Sequence, residues 1–478
     1  MTRREWSGGM LAVLAALTAG CATVSPSEEK KLGREAADEV ENTIGLVRDP
    51  RPVEYVRRVA GRLAQTAQRA DIAWQFNVAD DAAPNAFALP GGWVYVTRGL
   101  LALLNTEDEL AGVLGHEMSH VTERHAVRQA RASTPFTVLF GVPAAILGTV
   151  SPTLGGIVGG TGQLLSKVTL APYSRDQERE ADERGIALAA RAGWDPMGLA
   201  ASLHALHEEE ALAAGDPDRG GFLATHPSSR ERVATIQDLA RKQGRASTAP
   251  IAGSRNAFLG RLEGLVIGDN PATGVFLGTL FVHPDLDAAM NMPAGWKTAN
   301  TPAAAGAAAP PDGDAAVLLG VAGPGDDPIA GAKADGLKDA DLKRLQRLQI
   351  SGLPAARVLA ETRDGDRAAL TWIAHRPRIF RVLGLAPRRA WDRYGAVLDR
   401  AARSFRPLRP ADRERILESR LRLRPARAGE TVAQVLARGG GTWDAARMAV
   451  ANGRAPDAKL EAGWPVKVPV LQRYGAGP

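Results

Sequence analysis

The pentad His116-Glu117-Met118-Ser119-His120 makes sense only on a helix, with a second helix carrying Glu178-Arg179-Glu180-Ala181-Asp182 brought against it. On a helix, His116 and His120 stand one turn apart and present both imidazoles on one face. That spacing suits two corners of a tetrahedral zinc site, and Glu117 beside them is placed to polarise a water. A catalytic zinc takes three protein ligands and leaves the fourth position open. Glu178 is the candidate third ligand. Asp182, four residues on and on the same face, is placed to hold an imidazole N–H from behind.

Local sequence supports both helices. Thr106-Glu107-Asp108-Glu109 reads as a capping box, with Glu109 reaching back to the cap, and Ser174-Arg175-Asp176-Gln177 reads as another. Leu110, Val113, Leu114 and Val121 form the apolar stripe of the first helix, with acidic residues at its start and Arg124, Arg128 and Arg131 near its end. Gly112 and Gly115 are poor helix formers, so close packing against a neighbour is expected there. The second helix is expected to run to Gly193.

A longer HExxHxxGxxH pattern would put Gly at 123 and His at 126, where this chain has Glu123 and Ala126. The metzincin arrangement is excluded. A glutamate ligand on a later helix is the gluzincin arrangement. HEMSH, then SRDQEREAD, then His226-Pro227-Ser228-Ser229-Arg230, preceded by Asn85-Ala86-Phe87-Ala88-Leu89-Pro90-Gly91-Gly92, together resemble one gluzincin family. It contains the heat-shock protease HtpX and the CAAX prenyl proteases, and the likeness is greatest to its periplasmic branch of the beta-barrel assembly-enhancing protease type. The resemblance covers residues 28–240.

The resemblance implies His116, His120 and Glu178 as ligands to one Zn(2+) per chain, with Glu117 as general base. His226 then has two open roles: hydrogen-bonding the tetrahedral oxyanion, or occupying the open metal position in a resting state. Arg230 would anchor a carboxylate in the site. Asn85, Ala86, Phe87 and Ala88 would supply an edge strand for an extended substrate, beside the strand Trp93-Val94-Tyr95-Val96. His125 reads as a solvated residue on the polar side of its helix. His204 and His207, beside Glu208-Glu209-Glu210, read as an exposed charged helix, and His283 and His375 as structural residues.

Arg3 and Arg4 precede an apolar stretch, Met10 to Ala19, that is too short to span a membrane. Leu17-Thr18-Ala19-Gly20-Cys21 resembles a bacterial lipobox, with Thr18 where Leu is usual. Cys21 is the only cysteine, so no intramolecular disulfide is available and lipidation is its expected role. Ala22 after it favours the outer membrane by the habit of such lipoproteins. The expected location is the periplasm, on a lipid anchor in that membrane.

The expected fold class is α+β, divided as follows. A lipoprotein signal peptide occupies 1–21, a tether and N-terminal helix 22–45, and a mainly helical zincin metallopeptidase domain 46–245. An α+β domain with a faint PsbP-like look occupies 257–410, and a small βααβ module resembling LysM occupies 420–472. Within 257–410, Gly274 to His283 and Ala315 to Val321 read as strands, and Asp339 to Leu348 and Arg388 to Phe405 as helices. The Ala/Pro/Gly-rich stretch 297–314 reads as a loop.

Net charge is +6, but between Arg376 and Arg427 there are 16 arginines against five carboxylates. Anionic lipid, lipopolysaccharide or an acidic partner suits that stretch, and a solvated arginine face is the plain alternative. No nucleic-acid recognition motif accompanies it. Residues 132–166 carry no charge and are broken by Pro135, Pro143 and Pro152. They read as a membrane-facing lid rather than a span.

The expected function is zinc-dependent endopeptidase action on unfolded, misfolded or stalled cell-envelope proteins, in quality control of outer-membrane protein assembly. The assembly machinery and peptidoglycan are expected partners. The alternative is a non-proteolytic envelope assembly or peptidoglycan-binding lipoprotein with a latent or structural zinc site. An intramembrane CAAX-type protease would need several membrane spans.

Overall fold

The computed structural model describes residues 24–69, 71–132, 172–212, 221–244, 248–310, 315–337, 342–361 and 366–475. Cys21, the apolar leader and the uncharged stretch beyond Ala132 lie outside the described residues. Among the described residues no helix is long and apolar enough to cross a membrane.

The first region opens with α1 (Pro26–Thr43), whose Ser25 and Glu28 form a capping box, and α2 (Pro50–Thr66), capped by Asp49. A three-stranded sheet follows: β1 (Gln75–Ala79), β2 (Ala86–Leu89) and β3 (Trp93–Thr97). β3 lies in the centre, parallel to β1 and antiparallel to β2. The strands alternate as the pleat requires. Phe87 and Leu89 face α1, whereas Ala86 and Ala88 face the main core. Short α3 (Arg98–Leu103) leads to α4 (Glu107–Thr122), the central helix, which carries the His pentad.

α4 does not continue through Arg131. It stops at Thr122, Arg124 takes a left-handed φ of 57°, and α5 (His125–Ala132) sets off in a new direction. Glu107 fixes the start of α4. Its buried carboxylate accepts from Trp194 Nε1 at 2.7 Å, Ile251 N at 2.6 Å and Ala252 N at 2.5 Å, and also binds the Tyr55 hydroxyl. Thr106 caps the helix as expected, but Glu109 reaches past the cap to Asn105 N at 2.6 Å.

Helices α6 (Arg175–Arg191) and α7 (Gly198–Leu212) pack on α4 through glycines. A Cβ on Gly112 would stand 2.5 Å from the Leu199 nitrogen, and one on Gly115 would stand 2.8 Å from the Gly185 oxygen. The backbones therefore approach more closely than any side chain permits. Helix Arg255–Leu262 adds Phe258, Leu259 and Leu262 to the same core.

The second region begins with β4 (Val266–Ile267) and a hairpin sheet of β5 (Val275–Leu277), β6 (Leu280–His283) and β7 (Ala288–Asn291). Seven strands follow: β8 (Lys297–Asn300), β9 (Ala304–Ala308), β10 (Ala316–Pro324), β11 (Gln346–Ile350), β12 (Leu353–Glu361), β13 (Arg367–His375) and β14 (Arg378–Ala386). They form one antiparallel sheet in the order β11-β12-β13-β14-β10-β9-β8.

Three sequence expectations fail here. The stretch read as one strand over 274–283 is two strands joined by a turn. Residues 297–300 and 304–308 are strands, not loop, because β10 and β8 flank the alanine-rich β9 and pairing overrides its weak propensity. The helix expected to reach Leu348 gives way to β11 from Gln346, for the same reason. Helix Trp391–Arg403 matches its expectation and packs Tyr394, Leu398 and Ala401 on the sheet.

The last region is a strand, two helices and a strand: β15 (Leu417–Pro425), Val432–Gly439, Ala445–Asn452 and β16 (Pro465–Arg473). β15 pairs along its length with β16 and also with β4. Lys467, fully buried, joins this unit to the first region. Its Nζ donates to the carbonyls of Ala102, Leu103 and Leu104 at 2.7, 3.0 and 2.8 Å, at the end of α3. Arg255 stacks on Trp464 at 3.8 Å, and Arg447 pairs with buried Glu209 at 3.1 Å.

Candidate metal centre

α4, α6 and the short turn of helix Phe222–Thr225 bring four donors together. One donor atom each from His116, His120, Glu178 and His226 lies within 4.8 Å of the others, and all four side chains are buried. His120 Nε2 is 3.0 Å from His116 Nε2 and 3.4 Å from Glu178 Oε1. His226 Nδ1 is 3.0 Å from Glu178 Oε1 and 3.3 Å from His116 Nε2. His226 follows Thr225 at the end of its turn, and Phe222 stacks on its ring at a centroid distance of 4.3 Å.

The residues fit a cation. Two imidazole lone pairs 3.0 Å apart repel unless a proton or a cation lies between them. Both oxygens of Glu117 and Nε2 of His226 are buried without a hydrogen-bond partner, although His226 Nε2 sits 3.4 Å from Glu117 Oε1. Two or three imidazoles with one carboxylate is a donor set that suits zinc.

Electrostatics points the same way. Burial raises Glu117 above the usual carboxylate range. Burial also works to raise Glu178, but His226, His120 and His116 together outweigh it and hold that carboxyl well below its usual value. Burial lowers His120. For His226 the carboxylates of Glu178 and Glu117 overcome burial and raise it.

Around the donors stands a ring of supporting groups. Asp182 Oδ1 lies 2.9 Å from His116 Nδ1. Arg232 binds Asp182 through Nε at 2.7 Å and Nη2 at 2.8 Å, and reaches Glu178 Oε2 at 2.5 Å through Nη1. Tyr173 stacks on His120 at 3.9 Å.

The expected carboxylate anchor, Arg230, has its side chain outside the described residues. Arg232, two positions on, also meets the carboxylates of the site. Ser229 caps this helix and puts Arg232 in its first turn. His125 is a correction. It is fully buried, not solvated, with Nδ1 2.8 Å from His120 Nδ1 and Nε2 3.1 Å from Glu180 Oε2. Ala126 and Val127 after it, both buried, were the sign that this turn faces inward.

Asn85 to Ala88 lie in or beside β2, which occupies a sheet edge with every side chain buried. His204 is exposed as expected; His207 is half-buried with Nδ1 2.8 Å from Leu203 O, and Glu209 is buried. His283 and His375 stand apart from the donors. His375 pairs with Asp287 at 3.0 Å, and burial pushes His283 down to about 4. The arginine-rich stretch is extensively paired within the fold, for example Arg406 to Asp412, Arg413 to Asp287 and Arg420 to Glu418.

Residues 50–240 match Peptidase family M48. This region is similar to the M48 peptidases. The chain is 33% identical over 219 residues to the mitochondrial metalloendopeptidase OMA1 of Schizosaccharomyces pombe, a match spanning 45% of this chain and 62% of that protein. It is 28% identical over 250 residues to the beta-barrel assembly-enhancing protease of Yersinia pestis, spanning 52% of this chain and 50% of that one. The corresponding protease of Escherichia coli K12 matches at 28% over 231 residues, 47% of this chain and 46% of that one. The chain thus spans about half the length of these bacterial relatives. A solution structure of cyanobacterial PsbP from Synechocystis aligns over 30% of this chain and 98% of its own, at 13% identity and a TM-score of 0.23, too slight to support an argument about 257–410.

Proposed function

We propose that this chain is a zinc-dependent endopeptidase that cleaves misfolded or stalled proteins of the cell envelope, in quality control of outer-membrane protein assembly. The observation that carries the reading is the buried quartet of donors with Glu117 against it. His116, His120 and Glu178 would hold the ion, and zinc there would supply Lewis acidity to a scissile carbonyl at neutral pH. Glu117, kept basic by burial, takes the proton of the attacking water and hands it to the leaving amine. His226 stands among the donors in this arrangement, in the position substrate needs. Displaced from it, its imidazole is within reach to donate to the oxyanion.

Asp182, 2.9 Å from His116 Nδ1, is placed to orient that ring, and Arg232 neutralises Asp182 while also holding the second oxygen of Glu178. The outer edge of β2 offers backbone groups for an extended substrate to join the sheet, and the buried Asn85 Oδ1, which lacks a partner, is an added acceptor there. The kinship with beta-barrel assembly-enhancing proteases and the apolar leader ending at Cys21 support a lipid-anchored periplasmic location. The strand–helix–helix–strand unit at the C-terminus is read as a LysM-like module, with peptidoglycan or anionic lipid as its partner. That unit also motivates the second reading, a non-proteolytic envelope-assembly or peptidoglycan-binding lipoprotein.

Zinc per chain, measured in the parent and in Glu178→Ala, together with cleavage of an unfolded protein, separates the two. One zinc in the parent, lost in the variant along with cleavage, supports the endopeptidase. No zinc and no cleavage in the parent leaves the scaffold.

A further inference from the structure

The corner after α4 builds a hydrogen-bonded chain that runs away from the donor cluster. Arg124 ends the helix with its φ of 57°, and α5 starts by turning the His125 ring back beneath His120. His125 Nδ1 faces His120 Nδ1 at 2.8 Å, and His125 Nε2 faces Glu180 Oε2 at 3.1 Å. Arg128, one turn along α5, holds the same Glu180 oxygen from Nη2 at 3.0 Å. Gln177 Nε2 ties the His125 carbonyl to α6 at 3.3 Å.

Between two facing imidazole nitrogens only one proton fits, and its side is decided by the far end of each ring. His120 Nε2 points among the donors, so it must carry a lone pair to bind a cation. Its proton therefore sits on Nδ1 and is donated to His125 Nδ1. His125 then carries its own proton on Nε2 and donates it to the Glu180 carboxylate, which Arg128 keeps in place. Each group fixes the tautomer of the next. The opposite arrangement would put a proton on His120 Nε2, aimed at the ion.

We infer that His125 is a positioning residue for the metal centre, locking the ring and tautomer of His120 through a His120–His125–Glu180 chain. This rests on the reading that His116, His120 and Glu178 hold a metal. His116 Nδ1 has the Asp182 carboxylate 2.9 Å away, whereas His120 is backed by an imidazole that relays a carboxylate standing at the protein surface. Outer supports of this kind alter metal affinity by about ten- to a hundredfold.

The test is zinc retention by the full chain against a chromophoric chelator, with the cobalt absorption spectrum as a second readout. His125→Phe keeps a planar aromatic ring but offers no acceptor, and is expected to release zinc about ten- to a hundredfold more readily. His125→Gln, whose amide oxygen can accept from His120 Nδ1, is expected to restore most of the difference. Glu180→Ala, at a partly exposed position that does not endanger folding, is expected to weaken retention in the same direction by a smaller factor. Parent-like retention and an unshifted cobalt spectrum in His125→Phe or in Glu180→Ala overturn the inference. Equal losses in His125→Phe and His125→Gln also overturn it, because packing alone would then explain His125. A parent that binds no zinc overturns the metal-centre reading itself, and this inference with it.

Discussion

Arg232 grips Asp182 with two parallel bonds, Nε to Oδ2 at 2.7 Å and Nη2 to Oδ1 at 2.8 Å, while its third nitrogen reaches Glu178. One guanidinium thus sets both carboxylates that α6 directs at the imidazoles of α4. Replacing Arg232 with Ala removes the one guanidinium that two buried carboxylates share. Removing one partner of a buried ion pair costs roughly 3–5 kcal/mol, and urea unfolding of Arg232→Ala is expected to fall by that order. Lysine is not expected to restore it, because an ammonium cannot make the two-point contact.

Glu117→Gln is expected to keep its zinc and lose turnover by about 10²- to 10⁴-fold, the usual contribution of a general base. Metal content measured beside cleavage of an unfolded substrate checks this. Full activity in the variant would remove Glu117 from the chemistry.

Gly112→Ala is expected to destabilise the chain by about 1–3 kcal/mol through overpacking, read as a fall in thermal midpoint. The obstacle is backbone, Leu199 N and Cα at 2.5 and 2.9 Å, so no rotamer change can relieve it.

Lys467→Met is expected to cost at least about 1–3 kcal/mol, because three buried carbonyls lose their common donor. Limited proteolysis should then release a C-terminal fragment sooner than in the parent.

Burial raises Glu39, on α1, to about 7. A carboxyl with a folded-state value above its unfolded one favours folding below about 4.5 and loses that contribution as pH rises toward about 7. Glu39→Gln should therefore melt higher than the parent at pH 8, and the gain should vanish near pH 4.

The sequence spoke most clearly where chemistry follows local spacing. His116, His120, Glu178 and Asp182 are each set by one helical turn, so their faces could be read without any tertiary information. The positions that escaped depend on corners. His125 looked solvated because α4 was extended past Glu123, and the left-handed Arg124 that turns it inward leaves no propensity signal. Arg232 lies in the first turn of its helix, and only the approach of that helix to α6 brings it to Asp182. In the second region, Ala304–Ala308 is a strand because β10 and β8 flank it, and pairing between distant segments is not written in a five-residue window.

The bond from Lys467 to the end of α3 also sets a timetable. Ala102 and Lys467 are 365 residues apart, about 20–70 s of synthesis at ordinary ribosomal rates. Through that interval the carbonyls just before α4 have no lysine to receive. A chain that folded its N-terminal region first would assemble the donor cluster before its final clasp arrived.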